Sequence, residues 1–147
     1  MHKSDSTEQR DAETYILLSL EAKLGATFDP DARVPIESGV QPDAIDPVKK
    51  KIIVEVYARV GPVKGAQLHK IKKDVLKLAL IGQKAGPDWR RILCFASEEA
   101  AAYVTGRSWV AAAVQHFGIE VIVAPLSDQH RERVTSAQAR QRMVNPE

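Results

Sequence analysis

The segment that most limits the possible folds is residues 52–59, IIVEVYAR, which is the clearest β-strand in the chain. Its residues alternate between an apolar set and a set that contains an acid, a phenol and a guanidinium. The first set is Ile52, Val54, Val56 and Ala58, and the second is Ile53, Glu55, Tyr57 and Arg59. We expect the first set to pack on the core, so that Glu55 lies on the opposite face of a sheet.

Short apolar runs and amphipathic segments alternate around this strand. Their spacing predicts a helix at 13–24, strands at 34–37 and 40–45, and a helix at 64–81. A strand at 91–96, a helix at 98–117 that is capped by Ser97 and broken near Gly106, a strand at 119–124 and a helix at 127–142 follow. The early strands favour an antiparallel meander, and the later strand–helix–strand order favours parallel pairing. The expected class is therefore α/β, with a mixed sheet flanked by helices.

The length of the chain favours one domain. A chain of 147 residues, 44% of them apolar, suffices for one hydrophobic core and is too short for two ordinary domains. We expect a flexible polar segment at 1–12 and a single domain at 13–147. No apolar run approaches the length of a membrane span, the N-terminus lacks a secretory signal, and the single cysteine, Cys94, cannot form an internal disulfide. These features predict a cytoplasmic protein without membrane contact.

The charge of the chain is unevenly distributed. The formal net charge is −6 over residues 1–48, +9 over residues 49–91 and −1 over residues 92–147, although the whole chain carries only +2. A cationic segment within an acidic chain indicates a polyanionic partner, nucleic acid first. The other interpretation is a lysine-rich helix face that contacts only solvent.

Asp43 and Glu55 are the candidate metal ligands. Pro42-Asp43 lies on one predicted strand and Glu55 on the next, and a tight turn at Asp46-Pro47 joins them. Neighbouring strands can bring two such carboxylates to one face, where they bind a hard divalent cation such as Mg²⁺ or Mn²⁺. The Val56 carbonyl could add another oxygen ligand. Such a cation activates water and stabilises charge on a phosphate that is being cleaved.

Together, Pro42-Asp43, the hairpin, Glu55 in an apolar strand and the cationic helix that follows resemble the PD-(D/E)xK nuclease superfamily. The resemblance covers residues 13–96 and implies a restriction-endonuclease-like αβββαβ core, followed here by a C-terminal αβα addition. It implies that Asp43 and Glu55 bind metal. It also implies that an acid on the first helix assists, for which Glu21 is the first candidate and Glu13 the second.

Tyr57 departs from the family pattern, which has a lysine two residues after the glutamate. Tyrosine cannot supply a cation at neutral pH. In some family members the lysine lies on the following helix, so the resemblance implies that Lys64 or Lys70 takes this role. Gln67 lies one helical turn from each lysine and would assist. A degenerate, inactive site is the alternative.

These observations predict a metal-dependent nuclease that hydrolyses phosphodiester bonds of DNA. The candidate DNA contacts are cationic, namely Arg59, Lys49, Lys50, Lys51 and Lys73, although the three turn lysines are also typical of a solvated turn. The domain has no separate recognition module, so a homodimer or a partner protein that supplies specificity is expected. The alternatives are a degenerate module that binds nucleic acid or a partner protein, and an interaction domain that associates through the alanine-rich segment 98–117.

Overall fold

The computed structural model describes residues 3–144, and side chains from residue 7 to residue 143. Its elements, in chain order, are α1 (Lys3–Leu24), β1 (Ala44–Asp46), β2 (Ile52–Tyr57), α2 (Ala66–Ala85), β3 (Arg90–Phe95), α3 (Glu98–Thr105), α4 (Trp109–His116), β4 (Glu120–Val123) and α5 (Asp128–Val144). The predicted α/β class, with a mixed sheet flanked by helices, is confirmed.

The four strands form one sheet in the order β1-β2-β3-β4. β1 runs antiparallel to β2, with Ala44 opposite Val54, whereas β2, β3 and β4 are parallel to one another. Parallel strands joined by helices are normally covered on both faces. All six residues of β2 are accordingly buried, including Glu55.

Helices cover the sheet on both sides. The core on one side contains Ile53 and Tyr57 of β2 together with residues of α2, α3 and α4. The core on the other side contains Ile52, Val54 and Val56 together with residues of α1 and α5. The predicted alternation of β2 is therefore present, but the face that carries Glu55 lies beneath α2 rather than in solvent. Burying an ionisable group in such a layer is unfavourable unless it has a partner.

The connection between α1 and β1 differs from the prediction. The strand expected at 34–37 is wrong, because these residues form a bend in which the Ile36 N–H donates to the Val34 carbonyl over 2.8 Å. Pro35 between them has no N–H to donate to a strand ladder. Val34 and Ile36 nevertheless pack on the α2-side core as side chains. The strand expected at 40–45 is shorter, so the predicted three-stranded meander is a two-stranded hairpin.

The first helix is longer than predicted. α1 begins at Lys3 rather than near residue 13, so most of the segment expected to be flexible is helical, while residues 1 and 2 lie outside the described part. Its fully buried stripe follows a four-residue spacing: Ala12, Ile16 and Leu20. Leu17 and Leu24 are only partly buried against this core.

The second half of the chain agrees with the predicted order of elements. The helical segment is interrupted between α3 and α4, and the Ser97 hydroxyl caps α3 by accepting from the Ala100 N–H. The apolar face of the alanine-rich segment 98–117, which was one candidate interaction surface, packs on the α2-side core. Residues 145–147 of the predicted domain lie outside the described part. Within residues 3–144, no helix combines the length and apolar character that a bilayer crossing requires.

Candidate active site at the end of the hairpin

The hairpin brings Asp43 and Glu55 to the same position along the sheet. Ala44 pairs with Val54, so the next step of the antiparallel register places Asp43 opposite Glu55. Residues opposite each other in an antiparallel pair share one face. The Asp43 Oδ2 atom accepts a hydrogen bond of 2.8 Å from the Val56 N–H, where β1 no longer supplies a main-chain partner. The Asp43 carboxylate is therefore fixed at the open end of the hairpin.

The Val56 carbonyl faces the same open end. The next carbonyl along β2, that of Tyr57, points toward β3, because it accepts from the Ala96 N–H over 3.1 Å. Main-chain groups of successive strand residues point in opposite directions, whereas the N–H and C=O of one residue point the same way. Because the Val56 N–H points to Asp43, the Val56 carbonyl oxygen lies on that side too.

Glu55 is a buried carboxyl group that contacts a lysine of α2. The residue is 1% exposed, and its Oε1 atom lies 2.6 Å from Lys77 Nζ. The Lys77 ammonium group is therefore the partner of this carboxylate and offsets part of its charge. Burial and then repulsion by Asp43 raise the pKa of Glu55 to about 8, although Lys77 opposes the shift. An added positive charge would stabilise the ionised form.

Helix α2 presents a charged face to this carboxylate. Lys70, Asp74 and Lys77 follow the spacing that places residues on one side of a helix. Asp74 is 1% exposed, and its Oδ2 atom accepts from Lys70 Nζ over 2.8 Å. Burial lowers the pKa of Lys70, but Asp74, Asp43 and Glu55 outweigh that effect and raise it overall. Lys70 therefore remains an ammonium group next to the acidic side chains.

An acid of α1 completes the group. Burial raises the pKa of Glu13, and repulsion by the Asp43 carboxylate raises it further. The two carboxyl groups are therefore close enough for their charges to interact. Glu21 takes another role, because its Oε2 atom accepts from the Phe28 N–H over 2.8 Å and so holds the connection that follows α1. Of the two helix acids named from the sequence, the structure brings Glu13 and not Glu21 to Asp43. We call Glu13, Asp43, Glu55 and Asp74 the acidic cluster.

The cluster offers oxygen ligands of the kind that Mg²⁺ prefers. In residues 7–143, no three His, Cys, Asp or Glu side chains are grouped so that they could hold a metal by themselves. A cation would therefore take Asp43, Glu55, the Val56 carbonyl and water. The four carboxylates of the acidic cluster outnumber the ammonium groups of Lys70 and Lys77, so the cluster favours a bound positive charge.

Other predicted site residues lie elsewhere. Lys64, Gln67 and Arg59 line a cavity of about 210 Å³ beyond the C-terminal end of β2. Lys49, Lys50 and Lys51 are exposed between β1 and β2, at the opposite end of β2. Asp46 holds that turn through the N–H groups of Val48 and Lys49. Lys73 is exposed on α2 and belongs to neither group. The structure therefore gathers the predicted residues Asp43, Glu55, Val56, Lys70 and Glu13, whereas the other candidates lie outside the acidic cluster.

Two members of the site were not assigned a role from the sequence. Asp74 is buried and Lys77 contacts Glu55, although neither residue was a candidate. The signal that could have identified them is their spacing from Lys70, four and seven residues along the same helix.

Comparisons with protein-family profiles, with curated protein sequences and with solved structures found no match to this chain. The arrangement of the acidic cluster, Lys70 and the Val56 carbonyl is therefore the starting point for a function.

Proposed function

We propose that this chain is a divalent-cation-dependent nuclease that hydrolyses phosphodiester bonds of DNA. The observation that carries the proposal is the meeting of Asp43, Glu55 and the Val56 carbonyl at the end of the hairpin, with charged Lys70 nearby. The order α1, β1, β2, α2, β3 supports a restriction-endonuclease-like core that has one strand fewer than the αβββαβ pattern.

Mg²⁺ or Mn²⁺ held by Asp43, Glu55 and the Val56 carbonyl would polarise water and stabilise charge on the phosphate. The Val56 N–H fixes the orientation of the Asp43 carboxylate. The Lys70 ammonium, held by Asp74, can orient the attacking water or offset charge on the phosphate. The raised pKa of Glu13 makes this carboxylate a stronger proton acceptor than an ordinary glutamate.

A second function is favoured by one contact. Lys77 lies 2.6 Å from Glu55, so an ammonium group already offsets part of the charge that a cation would meet. Together with Tyr57 at the position of the family lysine, this contact supports a module that binds nucleic acid without cutting it. Such a module would bind DNA with strong salt dependence and without any need for metal.

Cleavage assays separate the two functions. Single-stranded and duplex DNA are incubated with the protein and Mg²⁺ or Mn²⁺, using wild type, Asp43→Asn and Lys70→Met. Lys84→Met is the matched control, because Lys84 is an exposed lysine in the last turn of α2. We expect wild type and the control to cut, and the two site variants to lose about a hundredfold or more of the rate.

Calorimetry with Mg²⁺ or Mn²⁺ decides the case in which nothing is cut. Absence of both cutting and metal binding, with DNA still bound, favours the non-catalytic module. Cutting that Asp43→Asn leaves intact contradicts the assigned site.

A further inference from the structure

The cavity beyond the C-terminal end of β2 is lined by cations. Arg59, Lys64 and Arg142 contribute side chains to its wall, and Gln67 adds an amide. Among the described residues, no carboxylate lines this cavity of about 210 Å³. A small concave site with guanidinium and ammonium groups and an amide donor has the chemistry that recognises a phosphate group.

Neutral side chains of α5 hold this cavity in shape. Gln138 is buried and clamps residue 60, because its Oε1 accepts from the Val60 N–H over 2.7 Å and its Nε2 donates to the Val60 carbonyl over 2.9 Å. Arg59 Nη1 donates to Gln141 Oε1 over 2.7 Å. This amide oxygen helps to hold the guanidinium in place at the cavity. The cationic wall is therefore arranged in advance, which lowers the entropic cost of binding an anion.

The loop after β2 is also fixed from the other side. The Gly61 N–H donates to the Ser97 hydroxyl over 3.3 Å, at the N-terminus of α3. Gly61 has a φ of +94°, a conformation that residues with a side chain rarely adopt. The carboxyl ends of parallel strands are the usual place for ligands in open α/β sheets. The cavity lies at such an end, between the loop that follows β2 and α5.

The cavity adjoins the acidic cluster. Tyr57 lines it and lies two residues after Glu55 on the same face of β2, about 7 Å along the strand. Lys70 Nζ is 6.0 Å from the centre of the Tyr57 ring. A phosphate in the cavity would thus lie within about two nucleotides of the cluster along a strand.

We propose that the cavity formed by Arg59, Lys64 and Arg142 binds a phosphate group of a nucleic-acid strand and places the neighbouring linkage at the acidic cluster. The binding of phosphate follows from the cavity itself, whereas the placement of the linkage rests on the proposed nuclease function. Gln67 supplies a further hydrogen bond to the phosphate oxygens.

The test measures binding without metal, so it does not depend on cleavage. A fluorescently labelled single-stranded oligonucleotide is titrated with wild type, Lys64→Gln, Arg142→Gln and the double variant in EDTA, at several salt concentrations. Lys64 and Arg142 are exposed, so their replacement leaves the core intact. Lys84→Gln, which removes the same charge at the other end of α2, is the matched control. Competition by inorganic phosphate and by an oligonucleotide with a 5′-phosphate is measured in parallel.

We expect each cavity variant to weaken oligonucleotide binding about fivefold to tenfold, and to reduce the slope of log affinity against log salt by about one. The control should change affinity less than about twofold. An equal loss in Lys84→Gln would overturn the proposal, because the effect would then be that of overall charge. Inorganic phosphate that binds wild type with no oligonucleotide binding would assign the cavity to free phosphate and overturn the nucleic-acid assignment. Selective loss of binding in a protein that never cuts DNA would retain the phosphate site and contradict the nuclease.

Discussion

Replacing Glu55 by glutamine is expected to change how the stability of the protein depends on pH. Burial and then repulsion by Asp43 raise the pKa of Glu55 from 4.5 to about 8 in the folded protein. At a pH between these two values, Glu55 keeps its proton in the folded state and has lost it in the unfolded state. The free energy of unfolding therefore decreases as pH rises from 4.5 toward 8, and this component is fully present only below pH 4.5.

The size of the effect follows from the same two values. At about 1.4 kcal/mol for each pH unit, a pKa change from 4.5 to about 8 corresponds to at most about 5 kcal/mol. Rearrangement of Lys77, which is 24% exposed, toward the ionised carboxylate reduces this amount. We expect wild type to lose about 2–5 kcal/mol relative to Glu55→Gln over this range. That is a large part of the stability of an ordinary domain.

The assay is urea denaturation in EDTA at several pH values between 5 and 8, followed by the fluorescence of buried Trp89. Glu37→Gln, which removes a carboxylate from an exposed position, is the control and should follow wild type. Asp43→Asn should make the decline smaller and end it at a lower pH, because it removes the repulsion that helps to raise the pKa of Glu55. Parallel pH curves for wild type and Glu55→Gln would refute the assignment of Glu55 as a buried carboxyl group with a raised pKa.

Three further predictions concern other parts of the protein. Lys77→Met should destabilise the fold by about 1–3 kcal/mol at pH 8 and much less at pH 5, where Glu55 is protonated. Urea denaturation at both pH values measures this difference. The destabilisation should disappear when Glu55→Gln is also present. Ser97→Ala should cost about 1 kcal/mol in urea denaturation, because its hydroxyl accepts from Ala100 and Gly61. Cys94 is buried, and burial raises its pKa to about 12, so iodoacetamide should modify it only after unfolding; rapid labelling of the folded protein would contradict its burial.

The parts of the fold that could be predicted are those in which a short local sequence pattern identifies the element. The alternation in residues 52–59 identifies a strand, and Ser97 before two glutamates identifies the start of a helix. The prediction of a strand at 34–37 was wrong because an apolar residue on each side of Pro35 indicates that the side chains are buried, but not that the main chain pairs with another strand. The early start of α1 depends on partners far along the chain, such as the contact of 3.0 Å between Glu8 and Arg140. A local pattern cannot show such partners.

The candidate site was predicted in its strands and incompletely in its helices. Asp43 and Glu55 could be paired from the sequence because a short hairpin fixes the register of two strands. The helix residues of the site could not be identified in this way, because the rotation of α1 and α2 against the sheet is set by packing in three dimensions. Glu13 therefore reaches the site although Glu21 was the first candidate, and Lys77, which had no predicted role, contacts Glu55. The phenol of Tyr57 neighbours Lys70, the one predicted lysine that lies near the cluster.

The most direct test of the proposed function is metal-dependent cleavage of DNA by wild type compared with Asp43→Asn. Asp43 is exposed and accepts from the Val56 N–H through one oxygen, a bond that an asparagine carbonyl can also accept, so the variant should fold. The predicted result is cleavage that requires Mg²⁺ or Mn²⁺ in wild type and is lost in Asp43→Asn. Equal cleavage by both proteins, or none by wild type in either metal while DNA is bound, would contradict the nuclease assignment.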